Sequence, residues 1–168
     1  MEYEKIYIDC DGVILNSEKR LRQMKAQAGF IEHTRESYYE YFKYAESHLN
    51  EWDYILKCAD QINNSVDIIK KLESLKRKIN ILTSIHSLYE MRLKVEILRK
   101  KWNLESDIIF VPPHFKKNEI VNAKNCLLVD DMSENIKSWN QAQGIGLLFD
   151  GTLEQNEATK VKSLEFLL

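Results

Sequence analysis

The stretch from Ile6 to Ser17, IYIDCDGVILNS, decides the fold of this 168-residue chain. Its apolar beginning predicts a buried strand, and two carboxylates one residue apart, Asp9 and Asp11, follow that strand directly. Two acids at the end of a central strand repel each other unless a cation lies between them. Gly12 allows a sharp turn and a close approach of the backbone to a ligand. The stretch therefore predicts a site for a divalent metal and for chemistry on an anion, with a plain Asp-rich turn as the simpler alternative.

The composition is typical of an ordinary globular domain with a sizeable core, because 44% of the residues are hydrophobic and 30% are charged. The formal net charge of -2, with both signs mixed, argues against binding to a nucleic acid polymer. No apolar run approaches the roughly 20 residues of a membrane span. We therefore expect no contact with nucleic acid or membrane, and a homodimer stays open.

The three cysteines bear on the cellular compartment of the protein. Cys10, Cys58 and Cys126 are far apart and form no metal-binding pattern, so reduced thiols in a cytoplasmic protein are the simplest interpretation. The charged stretch that begins at Met1 leads straight into a strand, which predicts no signal peptide. Cys10 lies between the two acids, but alternation along a strand turns it to the opposite side, so we expect it to pack.

Five short apolar runs predict strands, and none shows the alternation of a half-exposed strand. They are residues 5–10, 79–83, 108–111, 126–129 and 145–149. Helical periodicity fills the gaps between them, including an apolar repeat of Leu88, Met91, Val95, Leu98 and Trp102 after the second strand. Continuous apolar strands separated by helices predict an α/β fold with a doubly wound parallel sheet covered on both faces.

The connection between the first two strands is much longer than a crossover needs. Its excess, residues 18–64, is helical in pattern and rich in aromatic residues. We interpret residues 18–64 as a small helical cap over the carboxyl ends of the strands, and residues 1–17 and 65–168 as the α/β core. Most of the aromatic residues are expected to pack helix on helix, whereas some of Tyr38, Tyr39, Tyr44 and Trp52 are candidates for a substrate pocket.

Polar side chains follow four of the predicted strands. The first strand ends in Asp9 and Asp11, the second in Thr83 and Ser84; Lys116 and Lys117 follow the third, and Asp130 and Asp131 end the fourth. Each group alone is compatible with a cap or a turn. Together they supply what phosphoryl transfer through an aspartyl phosphate needs: an attacking carboxylate, a metal site, a cation and a hydroxyl.

These motifs, in this order and spacing, resemble the haloacid dehalogenase-like (HAD) phosphatase superfamily over nearly the whole chain. The first motif is Asp9-Cys10-Asp11-Gly12-Val13, and the helical insertion resembles the smaller cap class of that superfamily. The resemblance implies a HAD-like, Rossmann-like sheet with a cap after its first strand. The closest likeness within the superfamily is to 5'(3')-deoxyribonucleotidases, carried by Leu82-Thr83-Ser84-Ile85 and by residues 127–131.

The resemblance also implies roles. Asp9 is the nucleophile, and Asp11 is the general acid and then the base, with its backbone carbonyl facing a metal. Thr83, Ser84 and either Lys117 or Lys116 bind the phosphate, with Lys117 preferred because Asn118-Glu119-Ile120-Val121 follows it. Asp130 and Asp131, with Asp9 and Asp11, hold Mg²⁺, a cation that favours a few carboxylates. Superfamily members that dehalogenate lack the second acid, so Asp11 favours phosphate chemistry.

The implied function is a Mg²⁺-dependent hydrolase of phosphomonoesters, acting on (deoxy)ribonucleoside monophosphates. The alternative substrate is a small sugar phosphate or phosphoglycolate, for a phosphatase or a phosphomutase. A receiver domain places its hydroxyl, lysine and paired acids in a different order, so it is a weaker interpretation, as is a silent HAD fold used for binding. His86, two residues after Ser84, is interpreted as a capping or surface residue.

Overall fold

The protein is described by a computed structural model that covers residues 3–32 and 34–168. Met1, Glu2 and His33 lie outside the described residues. The strands are β1 (Ile6–Ile8), β2 (Ile79–Ser84), β3 (Asp107–Val111), β4 (Leu127–Asp130), β5 (Ile145–Phe149) and β6 (Lys160–Val161). They form one sheet in the order β3-β2-β1-β4-β5-β6, and all five pairings are parallel.

Helices cover the sheet and fill the long first connection. They are α1 (Ser17–Gln27), α2 (Arg35–Ser47), α3 (Leu49–Lys57), α4 (Ser65–Ser74), α5 (Leu88–Glu96), α6 (Lys117–Ile120) and α7 (Ser133–Gln141). A π-helical turn, Ile97–Lys101, continues α5, and a 3-10 helix, Leu164–Leu167, ends the chain. Over the described residues, none of the helices combines the length and the apolar character that crossing a membrane requires.

The predicted α/β fold with a doubly wound parallel sheet is confirmed. All five predicted strands are present, with ends that differ by at most two residues. The sequence analysis missed β6, which is only two residues long and pairs with the end of β5 through Leu148 and Phe149. So short a strand leaves no apolar run, because its pairing depends on the neighbour already in place.

The register of the central strands brings the predicted site residues to one edge. Ile8, the last residue of β1, lies between Ile81 and Val129 of its two neighbours. The next backbone amide, of Asp9, donates to the Val129 carbonyl at 2.9 Å. Because the strands are parallel, the residues that follow them emerge at the same carboxyl edge of the sheet.

Only part of the apolar repeat predicted after β2 is buried, since Leu98 is 0% exposed whereas two other members lie on the surface. Leu88 and Val95 belong to that repeat, yet Leu88 is 76% exposed and Val95 is 37% exposed. The helix instead turns Glu90, Leu93 and Lys94 inward, and all three are buried. An apolar repeat counts hydrophobic area only, whereas this helix buries an ion pair that has partners at the sheet edge.

The helices α1 to α3 occupy the long connection, where the sequence predicted a helical cap in residues 18–64. Their contacts with the core include α5, the loop before it and the π-helical turn after it. The ring of Phe42 stacks on that of His86 with centroids 4.0 Å apart, and the Tyr89 hydroxyl donates to Asp53 at 3.1 Å. Lys101 donates to the carbonyl of Lys57 at the end of α3. The insertion therefore reaches the carboxyl edge; its status as a separate domain stays a prediction.

Candidate active site

Asp9 lies at the centre of the carboxyl edge, directly after β1, and is buried. One of its carboxylate oxygens is 2.5 Å from the Lys117 ammonium, which also lies 2.6 Å from Asp130. Lys117 is the first residue of α6 and is 2% exposed, whereas Lys116 is exposed. Of the two candidate lysines, the structure therefore brings Lys117 to the acids.

Three carboxylates form a cluster around this lysine. Asp9, Asp130 and Asp131 each offer an oxygen, and these oxygens lie within 4.8 Å of one another. Three negative groups and the single positive charge of Lys117 leave a formal charge of -2, which a divalent cation neutralises. Carboxylate oxygens are the ligands that Mg²⁺ favours, so this cluster fits the predicted magnesium site.

Asp130 is the most firmly held of the three acids. It is fully buried, and one of its oxygens accepts a hydrogen bond from the Met132 amide at 2.8 Å. Asn135, in the first turns of α7, donates to both oxygens at 3.0 Å. The sequence analysis missed Asn135, and its position five residues after Asp130 is the only signal that could have indicated it.

Asp131 packs against the first motif at Gly12. The backbone of Gly12 has a φ of +76°, and a Cβ at this position would lie 2.1 Å from an Asp131 carboxylate oxygen. Gly12 is therefore required both by its left-handed backbone and by the close approach of Asp131. The turn after β1 and the turn after β4 fit together only because this residue has no side chain.

The electrostatics of the cluster favour the binding of a cation. Burial raises the pKa of Asp9 most, and the nearby Asp130 and Asp11 raise it further, while Lys117 opposes them in part. Burial also raises the pKa of Asp131, followed by the charges of Asp9 and Asp130. Without a cation, the fold therefore disfavours full ionisation of its own acid cluster.

The side chain of Asp11 is held by partners outside this cluster. One carboxylate oxygen accepts a hydrogen bond from the Ser17 hydroxyl at 2.6 Å, and the other lies 2.6 Å from the Lys94 ammonium. The predicted metal contact of Asp11 is through its backbone carbonyl, and that role stays a prediction. Ser17 and Lys94 were both missed by the sequence analysis.

Lys94 connects Asp11 to the end of β2. Its ammonium donates to the Thr83 hydroxyl at 3.1 Å and to the Ser84 carbonyl at 2.7 Å, and it lies 2.8 Å from Glu90. Thr83 is fully buried and Ser84 is exposed. Lys94, on the helix that follows β2, thus links Thr83 and Ser84 to Asp11. The sequence signal that could have indicated Lys94 is its spacing from Glu90, which lies four residues earlier on the same helix.

The aromatic residues of the insertion mainly pack, as expected. Trp52 is 3% exposed and Tyr39 is 52% exposed. Trp52 stacks on Phe42 with centroids 5.7 Å apart, and Phe42 in turn covers His86. His86 is thus a stacking partner of the insertion as well as an exposed residue of the α5 loop; Phe42 is its nearer ring, and Trp52 lies parallel to it with centroids 6.3 Å apart.

Solved structures share this architecture over almost the whole chain. A HAD hydrolase, family IA, variant 3, from Entamoeba histolytica is similar with a TM-score of 0.68 and 14% identity, covering 98% of this chain and 95% of that chain. The HAD-hydrolase YfnB from Bacillus subtilis, solved bound to magnesium, is similar with a TM-score of 0.62 and 17% identity, covering 99% and 97%. This chain has the HAD-like fold.

CbbY from Rhodobacter sphaeroides, solved in complex with phosphate, is also similar, with a TM-score of 0.61 and 12% identity over 96% of this chain and 95% of that chain. No protein-family model matches the sequence. No curated protein matches it by sequence either. Identities this low support the HAD-like fold alone, so the activity has to be argued from the residues at the carboxyl edge.

Proposed function

We propose that this chain is a Mg²⁺-dependent phosphomonoester hydrolase that acts through an aspartyl phosphate on Asp9. The observation that carries the proposal is the position of Asp9, which is buried at the carboxyl edge, 2.5 Å from Lys117 and grouped with Asp130 and Asp131. A carboxylate held beside a cation and a metal site can approach the phosphorus of an anionic ester without strong repulsion.

The reaction has two steps. In the first, an Asp9 oxygen attacks phosphorus, the ester P–O bond breaks, and Asp11 gives a proton to the departing alcohol. In the second, water attacks the phosphorus while Asp11 takes a proton from it, and the bond between Asp9 and phosphorus breaks to release inorganic phosphate. Asp9 and Asp11 return to their starting states, so atoms and protons balance.

The phosphate group needs positive charge and hydrogen-bond donors around it. Lys117 supplies a buried ammonium beside Asp9, and the Thr83 and Ser84 end of β2 supplies hydroxyl and amide groups. Asp9, Asp130, Asp131 and the backbone carbonyl of Asp11 would hold Mg²⁺, which supplies charge neutralisation of the phosphate oxygens when bound.

The proposed substrate is a deoxyribonucleoside or ribonucleoside monophosphate. The support is the aromatic insertion, which brings Phe42 to His86 at the edge where the phosphate would bind. A phosphatase or phosphomutase for a small sugar phosphate or phosphoglycolate is the second candidate, and CbbY shows that a protein of this fold was solved with phosphate. A cytoplasmic location accompanies the proposal as an expectation from the sequence, and a homodimer stays open.

The deciding experiment measures turnover of p-nitrophenyl phosphate with Mg²⁺ and after chelation with EDTA. We expect turnover that EDTA abolishes and that Asp9→Asn lowers by about 10³-fold or more, since the nucleophile is lost. Asp107→Asn is the matched control, because it removes an exposed carboxylate at the opposite end of the sheet. Turnover that survives both chelation and Asp9→Asn would contradict the proposal.

A further inference from the structure

A second buried lysine lies at the β2 end of the site, whereas Asp130 and Asp131 follow β4, on the other side of β1. Lys94 is fully buried on α5, and Glu90, one turn earlier, is 3% exposed. Surface pairs at this spacing are common and contribute little to stability, but they stay in water. This pair is buried under the loop that carries the second motif, so its position needs another explanation.

The contacts of Lys94 join three parts of the site. Its ammonium touches the Asp11 carboxylate, the Thr83 hydroxyl and the Ser84 carbonyl, in addition to Glu90. Burying an ammonium is costly unless its partners satisfy it, and here four oxygens do so. The lysine therefore orients the side chain of the first motif and the end of β2 at the same time.

Glu90 fixes the lysine in turn. One of its oxygens pairs with Lys94 at 2.8 Å, and the other accepts from the His86 amide at 2.6 Å. Burial raises the pKa of Glu90, but Lys94 and His86 together outweigh it, so the pKa lies at about 2. Burial lowers the pKa of Lys94, whereas Asp11 and Glu90 raise it by more. Both members of the pair are therefore charged at neutral pH.

Both carboxylate oxygens of Asp11 have a partner in this arrangement. Ser17 holds one carboxylate oxygen at 2.6 Å and Lys94 holds the other at 2.6 Å, so the carboxyl plane is defined from both sides. A group that transfers a proton must lie within hydrogen-bond reach of the leaving oxygen, and small displacements of such a group are costly.

We propose that Lys94, fixed by Glu90, is a positioning residue that orients Asp11 for proton transfer at the leaving oxygen. The inference rests on the proposed phosphatase function, and it assigns Lys94 no contact with the substrate. It explains why α5 buries a charged pair where its sequence offers Leu88 and Val95 for an apolar face.

The test compares two esters that differ in their need for protonation. Methyl phosphate has a poor leaving group that needs a proton from Asp11, whereas p-nitrophenyl phosphate has a good one that needs little help. We expect Lys94→Met to lower kcat for methyl phosphate at least about tenfold more than kcat for p-nitrophenyl phosphate, because general acid catalysis is worth about 10²–10⁴-fold. A loss that acts through Thr83 and phosphate binding would affect both esters equally.

A double-mutant cycle with Asp11→Asn isolates the route of the effect. If Lys94 acts through Asp11, then Lys94→Met should change methyl phosphate turnover by less than about threefold when Asp11→Asn is already present. The control is Lys100→Met, which removes an exposed lysine from the π-helical turn after α5 and should leave both rates unchanged. If Lys94→Met fails to fold, Glu90→Gln is measured instead and should show the same selective loss in a smaller amount.

Two outcomes are distinguishable. Equal losses for both esters, with full additivity in the cycle, overturn the positioning role while the phosphatase proposal stands. A wild-type protein that turns over neither ester with Mg²⁺ overturns the phosphatase proposal and this inference with it.

Discussion

Lysines are buried both at the sheet edge and in the helical insertion, but their surroundings differ. At the edge, Lys117 lies between the carboxylates of Asp9 and Asp130. In the insertion, Lys25 is 1% exposed and donates to the Phe30 carbonyl at 2.6 Å, to the Ser37 hydroxyl at 2.7 Å and to the Glu32 carbonyl. The described partners of Lys25 are therefore neutral oxygens.

This difference separates a structural charge from a charge placed for chemistry. Two partners of Lys25, Phe30 and Glu32, belong to the connection between α1 and α2, and the third, Ser37, lies in the first turn of α2; the ammonium therefore ties this loop to α2 and satisfies carbonyl groups that would otherwise be unpaired. The partners of Lys117 are two acids that come from different strand ends and that repel each other. Such a cluster is costly for the fold alone, and it becomes favourable when an anion and a metal enter.

Between the two lysines, the larger expected effect is the loss of catalysis on removing the one at the sheet edge. Lys117→Met should lower kcat by about 10²–10³-fold, the range found when one preorganised donor to a developing charge is removed. Lys25→Met, the matched change in the insertion, should lower the melting temperature but leave kcat per folded molecule within about twofold, because it leaves a loop unsupported. Activity assays with Mg²⁺, normalised by thermal melts, make the comparison. A similar loss of kcat in both variants would show that the two lysines have the same role.

A smaller effect is expected from the insertion through substrate choice. The value of kcat/KM for dUMP or dTMP should exceed that for glucose 6-phosphate and for phosphoglycolate by about 10–100-fold, since stacking of a base on an aromatic ring is worth roughly 1–3 kcal/mol. Phe42→Leu removes the ring that meets His86 and should reduce this preference while leaving phosphoglycolate turnover unchanged. A better rate with either non-nucleotide contradicts the nucleotide proposal, while the phosphatase proposal stands.

The sheet edge was predictable because parallel strands bring their ends together. Asp9, Thr83 and Asp130 follow apolar runs that are visible in the sequence, and the confirmed sheet places those runs side by side. The lysine that follows the third strand was predicted as Lys116 or Lys117, and the residues after the pair favoured Lys117; in the structure Lys117 begins α6 and turns inward to the acids.

Helix faces at the site were less predictable. Periodicity placed Leu88 and Val95 inside because it weighs apolar area, and the ion pair of Glu90 and Lys94 outweighs that preference locally. The partner that makes burial of Lys94 favourable is Asp11, which is 83 positions away in the sequence. The periodicity of one helix cannot predict a contact between residues so far apart in the sequence. The close approach of Gly12 and Asp131 could not be predicted for the same reason.

The smallest expected effect concerns stability, where the acid cluster and the insertion should again differ. In the folded protein without metal, the pKa of Asp9 is raised to about 7 and that of Asp131 to about 8, mainly by burial. A raised carboxyl pKa means that the folded state binds more protons than the unfolded state between pH 4 and pH 8. The contribution of these two acids to the free energy of unfolding therefore falls as pH rises through this range.

We expect Asp131→Asn to raise the free energy of unfolding in EDTA by on the order of 1 kcal/mol at pH 8, with a smaller gain at pH 6. Saturating Mg²⁺ should stabilise the wild type and reverse the order, since the ion binds only the folded cluster. Glu40→Gln, which removes an exposed carboxylate from α2, is the control in the insertion and should leave the pH profile unchanged. Urea melts at pH 6, 7 and 8 measure these differences.

If the metal-free wild type instead gains stability from pH 6 to pH 8 relative to Asp131→Asn, the carboxylates at the sheet edge do not repel one another. The sheet edge and the insertion would then not differ in the way that this comparison requires.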